Sequence, residues 1–266
     1  MPTPNVSYVT ESSQVHFKPY TPPPTVVVTY NATPDNLYTL HSTTGVEQLF
    51  VDDVEVTNFG STYSFSTEGE HTVRVVFNED GVIPQSMFSG TTVTSVDIND
   101  EITNINYNAF RDCSGLTGIT IPNSVSSIKN DTFAGCKGLT SITIPNSVSN
   151  IETAAFSNCS RLTRITIPDS VTNIEQSVFR NCSGLTEVTI GSGVTSIGNY
   201  TFSGCTGLTQ ITCYAKTAPT IQSQTFHSVK SNGVLYYPVG SDYSTWLQTT
   251  SYYLGYYNWT GQEIAS

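Results

Sequence analysis

Basic residues are scarce in this chain: ten lysines and arginines stand against 21 aspartates and glutamates, for a net charge of -11 over 266 residues. Binding a phosphate backbone needs positive surface, so nucleic acid is excluded as a partner. Long apolar runs are also missing. No stretch reaches the roughly 18 residues of a membrane-spanning helix, and Met1-Pro2-Thr3-Pro4 opens no secretory leader with a basic and then an apolar region. The chain is therefore read as not membrane-spanning, and as either cytosolic or exported with its leader removed. Low lysine with abundant Ser, Thr, Asn and Tyr favours the exported reading.

Catalytic signatures are absent as well. There is no G-x-S-x-G elbow, no H-E-x-x-H, no phosphate loop and no C-x-x-C, and His16, His41, His71 and His227 stand far apart in different segments. No enzymatic activity, cofactor or metal is expected. The acidic group Asp52, Asp53, Glu55, Glu79 and Asp80 offers oxygen ligands suited to calcium, but its spacing fits no EF-hand loop and turn chemistry accounts for it equally well.

What the chain has in quantity is repetition. Five copies of a 23-residue unit run head to tail, from AFRDCSGLTGITIPNSVSSIKND at Ala109, through Thr132, Ala155 and Val178, to a decaying copy from Thr201. A fixed period of this length means stacked units, each unable to bury its apolar face alone, so the product is a solenoid with a long exposed surface. The unit Leu116-x-x-Ile119-x-Ile121 is a strand whose isoleucines face inward, and Pro122 ends it. Phe110, Phe133, Phe156, Phe179 and Phe202 recur as an aromatic ladder. Cys113, Cys136, Cys159, Cys182 and Cys205 fall at steps of 23, and Cys213 takes the place of a strand isoleucine. All six read as small buried core residues with free thiols rather than as disulfides or nucleophiles. Carrying the register back one period from Leu116, Ile119, Ile121, Val125 and Ile128 reaches Val93, Val96, Ile98, Ile102 and Ile105. These mark an atypical first coil without cysteine, with Phe88 one residue off register.

Residues 1–24 form an extended Pro-rich segment ending in Thr21-Pro22-Pro23-Pro24. Residues 25–82 hold short β-like runs separated by turn signals such as Thr33-Pro34-Asp35-Asn36, and suggest a small β-sandwich-like domain of immunoglobulin type without its disulfide. Residues 1–82 together carry ten of the acids beside only Lys18 and Arg74. Residues 83–237 are the solenoid and 238–266 an aromatic-rich C-terminal cap, so the fold class is mainly β. The repeat x-Phe-x-x-Cys-x-x-Leu-Thr-x-Ile-Thr-Ile-Pro-x-Ser-Val-x-x-Ile resembles the leucine-rich repeat of BspA-like bacterial surface proteins, the Treponema pallidum class of leucine-rich repeat. The segment from Val234 through Tyr243 and Trp246 is similar to the closing segment of such proteins. The resemblance implies a cell-surface or secreted bacterial protein that adheres to host or partner-cell proteins.

Two outward columns of the strands are the candidate ligand-binding face. One reads Ser95, Gly118, Ser141, Arg164, Glu187, Gln210, and its neighbour reads Asp97, Thr120, Thr143, Thr166, Thr189, Thr212. Ser141, Thr143, Arg164, Thr166, Glu187, Thr189 and Gln210 are its central members. A varied polar column across a sheet is where a partner would be read, although a solvated face with an Arg164–Glu187 pair gives the same pattern. The threonine column alone also evokes ice binding, which the varied column beside it breaks. The alternative surface is aromatic: Tyr243, Trp246 and Trp259 could stack on sugars, making glycans a second partner class, or could instead cover the last coil's open edge. A spacer without its own ligand is the remaining reading. A monomer is expected.

Overall fold

The structure is a computed structural model, and it describes residues 21–32, 37–57, 60 and 62–265. The Pro-rich start up to residue 20, the Thr33–Asn36 turn and His16 lie outside these residues.

Strands dominate, and the clearest of them alternate buried with more exposed residues, as Thr25–Ala32 and Arg164–Ile167 do. Ahead of the repeats come β1 (Thr25–Ala32), β2 (Leu37–Thr39), β3 (Val46–Val51), β4 (Val54–Glu55), β5 (Thr62–Ser64) and β6 (Gly69–Phe77). The first coils add β7 (Val82–Ile83), β8 (Val93–Ile98), β9 (Asn104–Ile105), β10 (Gly118–Ile119), β11 (Ser127–Ile128) and β12 (Asn150–Ile151). The later coils give β13 (Arg164–Ile167), β14 (Asn173–Ile174), β15 (Glu187–Ile190), β16 (Ser196–Ile197), β17 (Gln210–Cys213), β18 (Thr220–Ile221), β19 (Val234–Pro238) and β20 (Thr260–Ile264). The 3₁₀ turn Leu254–Tyr257 is the only helical element among the described residues. The fold is thus a β-solenoid of about 23-residue coils, most placing one strand on a front sheet and a shorter one on a second sheet.

Coils turn at two fixed places where the backbone is left-handed. Asn108, Asp131, Ala154, Ser177 and Tyr200 hold φ between 54° and 60°, and Asp112, Gly135, Asn158, Asn181 and Gly204 repeat the conformation four residues later. The repeat fixes these angles even where it supplies Ala or Tyr, residues that adopt them at a cost. Inside, a ring ladder runs the length of the stack. Phe88, Phe110, Phe133, Phe156, Phe179, Phe202 and Phe226 lie nearly parallel, with centroids 5.2–5.8 Å apart. Phe88 joins despite its one-residue offset, and Phe226 extends the ladder by a 24-residue step.

The cysteines are all free and buried. Each repeat thiol donates to the carbonyl of a phenylalanine in the preceding coil: Cys113 to Phe88 at 3.0 Å, Cys136 to Phe110 at 3.1 Å, Cys159 to Phe133 at 3.2 Å, Cys182 to Phe156 and Cys205 to Phe179 at 3.1 Å. The thiols are therefore inter-coil ties as well as core filler. Burial pushes Cys113 up to about 11 and Cys205 well above the ordinary thiol value.

The sandwich expected over residues 25–82 is not confirmed. β1, β6, β3 and β4 form one antiparallel run, and β2 pairs with β5 as a separate two-stranded ribbon. The run does not stop at the repeats: β1 also lies antiparallel to β8, with Val28 opposite Val96, and β8 pairs in parallel with β10. The physical reason is the open edge of the first coil, whose ladder groups need partners that β1 supplies. One hydrophobic core consequently extends from Val26 to Trp259. At the opposite end, β19 and β20 continue the front sheet in parallel past residue 237.

Candidate functional site

The outward columns fall in register as the repeat requires. Arg164 stands opposite Glu187, which stands opposite Gln210, while Thr166, Thr189 and Thr212 align beside them. Arg164 Nε donates to Glu187 Oε2 at 3.2 Å, with the arginine side chain 73% and the glutamate 39% exposed. Such a solvated pair contributes under about 1 kcal/mol, so its groups remain available to an incoming partner. Behind them, Ile165 and Val188 are buried, which fixes the strands.

The face is longer than the repeats. Val234 and Thr260 extend the first column, and Tyr236 and Gln262 extend the threonine column. On the other side, β1 sets Thr29 against Ser95 and Val27 against Asp97. β6 then sets Arg74 against Val27, and the Arg74 guanidinium covers the Phe50 ring at 3.6 Å from its centroid. Sequence reasoning missed this extension, because antiparallel pairing of β1 with a repeat strand leaves no periodic signal.

A groove of about 550 Å³ crosses the middle of the face. Ser141, Thr143, Arg164, Thr166 and Thr189 line it, with Tyr214 at one end. Residues 141–144 hold no extended strand, only the single bridge Thr120↔Thr143, so the groove lies where the sheet's ladder is thinnest. Gly191 stands where three earlier copies have proline. A Cβ there would come within 2.6 Å of the Asp169 nitrogen, so glycine lets this coil approach its neighbour. Tyr214 occupies the next copy of that position, is 44% exposed, and was not among the residues singled out by sequence. Its signal was present: an aromatic in a column of prolines. Glu187 and Gln210 belong to the face but do not line the groove.

The aromatic alternative fails on burial. Tyr243, Trp246 and Trp259 are 1%, 0% and 5% exposed. Their polar atoms are turned inward, Tyr243 donating to Ala215 O at 2.7 Å, Trp246 to Pro219 O at 2.9 Å and Trp259 to Lys230 O at 2.7 Å. These rings close the last coil, with Trp246 tilted at 54° beyond Phe226 and 5.4 Å from it, and their faces are not open to a sugar. Gly233 makes room for Trp259, since a Cβ there would lie 2.3 Å from the indole. Asp52 and Asp53 sit in the β3–β4 turn with φ of 49° and 62°, and no group of three metal-ligating side chains forms among the described residues. No described helix is long and apolar enough to cross a membrane.

Among protein families, the one described as BspA type leucine rich repeat region matches in six copies, over residues 53–117 and 81–209. No curated protein matches the chain. Among solved structures, a leucine rich cell surface protein from Faecalibacterium prausnitzii is 26% identical, over 62% of this chain and 53% of that one, with a TM-score of 0.45. This chain thus spans about half the length of that protein. The T. pallidum leucine rich repeat protein is 22% identical, over 70% and 86% of the two chains, with a TM-score of 0.44. The pneumococcal vaccine antigen PcpA is 16% identical, over 71% and 46%, with a TM-score of 0.51, a likeness of fold.

Proposed function

We propose, for a chain that belongs to the BspA-type leucine-rich repeat family, that it works as a non-enzymatic binding module at the bacterial surface or after secretion, adhering to host or partner-cell proteins through its front sheet. The observation that carries this reading is the groove centred on the uniform column of Thr143, Thr166 and Thr189, beside a column whose residues vary while the core behind both repeats. An extended face of this kind suits a protein partner better than a small molecule. It offers a hydroxyl row, one readily opened ion pair and an exposed tyrosine, and tyrosine and arginine are frequent interface anchors.

The test is binding of the full chain to immobilised extracellular-matrix proteins at physiological salt. Saturable binding that weakens at least about tenfold in Arg164→Glu and in Tyr214→Ala, but not in Lys129→Glu beside the second sheet, supports the reading. Binding indifferent to both front-face substitutions would move the site elsewhere. No binding to any matrix protein would favour a spacer role.

A further inference from the structure

A second concavity lies away from the front sheet, where the segment before the repeats meets the first coil. Its volume is about 650 Å³, within the range of small-molecule sites. Four stretches of chain converge on it: the loop from His41 to Gly45, the turn from Asn78 to Val82, the Pro84–Ser86 bend and Asn106. Pro84–Ser86 and Asn106 belong to the atypical first coil, and the other two stretches precede it.

The cleft is held by backbone bonds, and part of its side-chain capacity is spent in local turns: Asn106 Oδ1 accepts from Tyr107 N at 3.2 Å and Ser42 Oγ from Thr44 N at 3.3 Å. His41 N donates to Met87 O at 2.8 Å, Asn78 N to Gly45 O at 2.9 Å, Asn106 N to Ile83 O at 3.1 Å and Thr103 N to Gly81 O at 2.8 Å. Gly81, with φ of 59°, is pinned against the first coil, where a Cβ would strike Glu101 O. Asn78 and Asp80 clip each other: the Asn78 amide donates to Asp80 Oδ2 at 3.2 Å and accepts from Asp80 N at 3.3 Å. A site whose walls are fixed before binding loses little entropy on filling.

The lining chemistry selects a ligand class by elimination. No lysine or arginine lines the cleft, and its one carboxylate is Asp80, so an anion such as phosphate is disfavoured. A purely hydrophobic ligand would strip water from the Asn78, Asp80, Gln85 and Asn106 side chains without replacing its hydrogen bonds. A metal would find a single carboxylate, and no cluster of three ligating groups exists among the described residues. What remains is a neutral ligand rich in hydroxyls. The amides of Asn78, Gln85 and Asn106 both donate and accept, the Asp80 carboxylate accepts, and Val82 and Pro84 offer an apolar patch. We infer that this cleft is a saccharide-binding site for a short neutral oligosaccharide, separate from the protein-binding face.

The test is isothermal titration of the full chain with maltotriose, cellotriose, mannotriose, N,N′,N″-triacetylchitotriose and lactose, beside a sulfated heparin-derived tetrasaccharide. At least one neutral sugar is expected to bind with one-to-one stoichiometry and to shift the side-chain amide resonances of Asn78, Gln85 and Asn106. Gln85→Ala and Asp80→Ala are each expected to weaken it about tenfold or more, because each removes polar groups from the lining, Asp80 having acceptor capacity beyond the one bond it takes from Asn78. Gln85 is exposed, so its truncation leaves the fold intact even if Asp80→Ala loosens its turn. Arg164→Glu should leave sugar binding unchanged, which keeps this outcome independent of the front-face proposal. The inference is overturned if none of the neutral sugars binds, if the sulfated sugar is preferred, or if binding survives both substitutions.

Discussion

Replacing Phe156 with alanine removes the central rung of the ring ladder, and the structure sets the size of the effect. The side chain is fully buried, with Phe133 at 5.4 Å on one side and Phe179 at 5.5 Å on the other. A buried phenylalanine removes about 150–200 Å² from water, which at ~25 cal/mol per Å² is about 4–5 kcal/mol. The methyl that remains returns part of this, whereas the cavity and two lost stacking contacts add to it, so the expected loss is about 3–5 kcal/mol. Urea unfolding of the full chain, followed by circular dichroism, reads this as a lower midpoint. Because each coil is tied mainly to its neighbours, a weakened middle should also split the transition and lower its slope. A loss under about 1 kcal/mol with an unchanged slope would refute the claim that the rings act as a continuous spine.

Three further outcomes follow from the same geometry. All six cysteines should resist alkylation in the native protein at pH 8 and all six should react in denaturant, since they are buried and free; two or more reacting natively would contradict the inter-coil ties. Ala154→Gly should raise the unfolding free energy by about 0.5–1 kcal/mol, because Ala154 is held at φ 56° where glycine rests without penalty, and an unchanged or lower value would show that the cost is absent. The third concerns pH. The hydrogen bond from His71 Nδ1 to Asp52 Oδ2, 2.7 Å long, raises the His71 pKa from its ordinary 6.5, against a smaller lowering by desolvation. For Asp52, desolvation raises the pKa, but the bonds from His71 and Thr72 outweigh it and leave the group below its ordinary 3.8. The His71 contribution is therefore complete below about pH 6.5 and lost as pH rises through the raised value, while that of Asp52 is present above about pH 3.8 and lost as pH falls through the lowered one. The aspartate is half exposed, so the pair is worth under about 1 kcal/mol; His71→Ala should flatten the alkaline side of a stability profile measured from pH 4 to 9, and an unaltered slope would rule the pair out.

The repeats were legible because identical coils meet identical neighbours: once Ile119 and Ile121 face inward, every copy must do the same, and the register of Arg164 against Glu187 follows. Phe88 and Phe226 were harder, since the first interval of the ladder is one residue shorter than the period and the last one residue longer, yet the rings stay stacked. The pairing of β1 with β8 was invisible, because an antiparallel partner brought from outside the repeat has no period. Burial of Trp246 and Trp259 was undecided for a different reason. An aromatic ring with a polar atom serves a binding surface or a closed end equally well, and only the carbonyls of Pro219 and Lys230, brought near by the last coils, settle which. The groove beside Tyr214 depends on where the ladder lapses, which single-coil reasoning does not supply.

The thiol ties and stacked rings make one coil interchangeable with the next. Each central copy receives the same bonds from the coil before and hands the same bonds to the coil after, while β1 at one end and Trp246 at the other meet only the outermost coils. A segment of 23 residues could therefore be gained or lost between Ala109 and Tyr200 without disturbing either closure. Each such event would change the reach of the front sheet by one strand spacing, about 4.8 Å. Gain or loss of whole coils is then a direct route to molecules of graded length, in which the span of the front sheet varies separately from the chemistry at the ends.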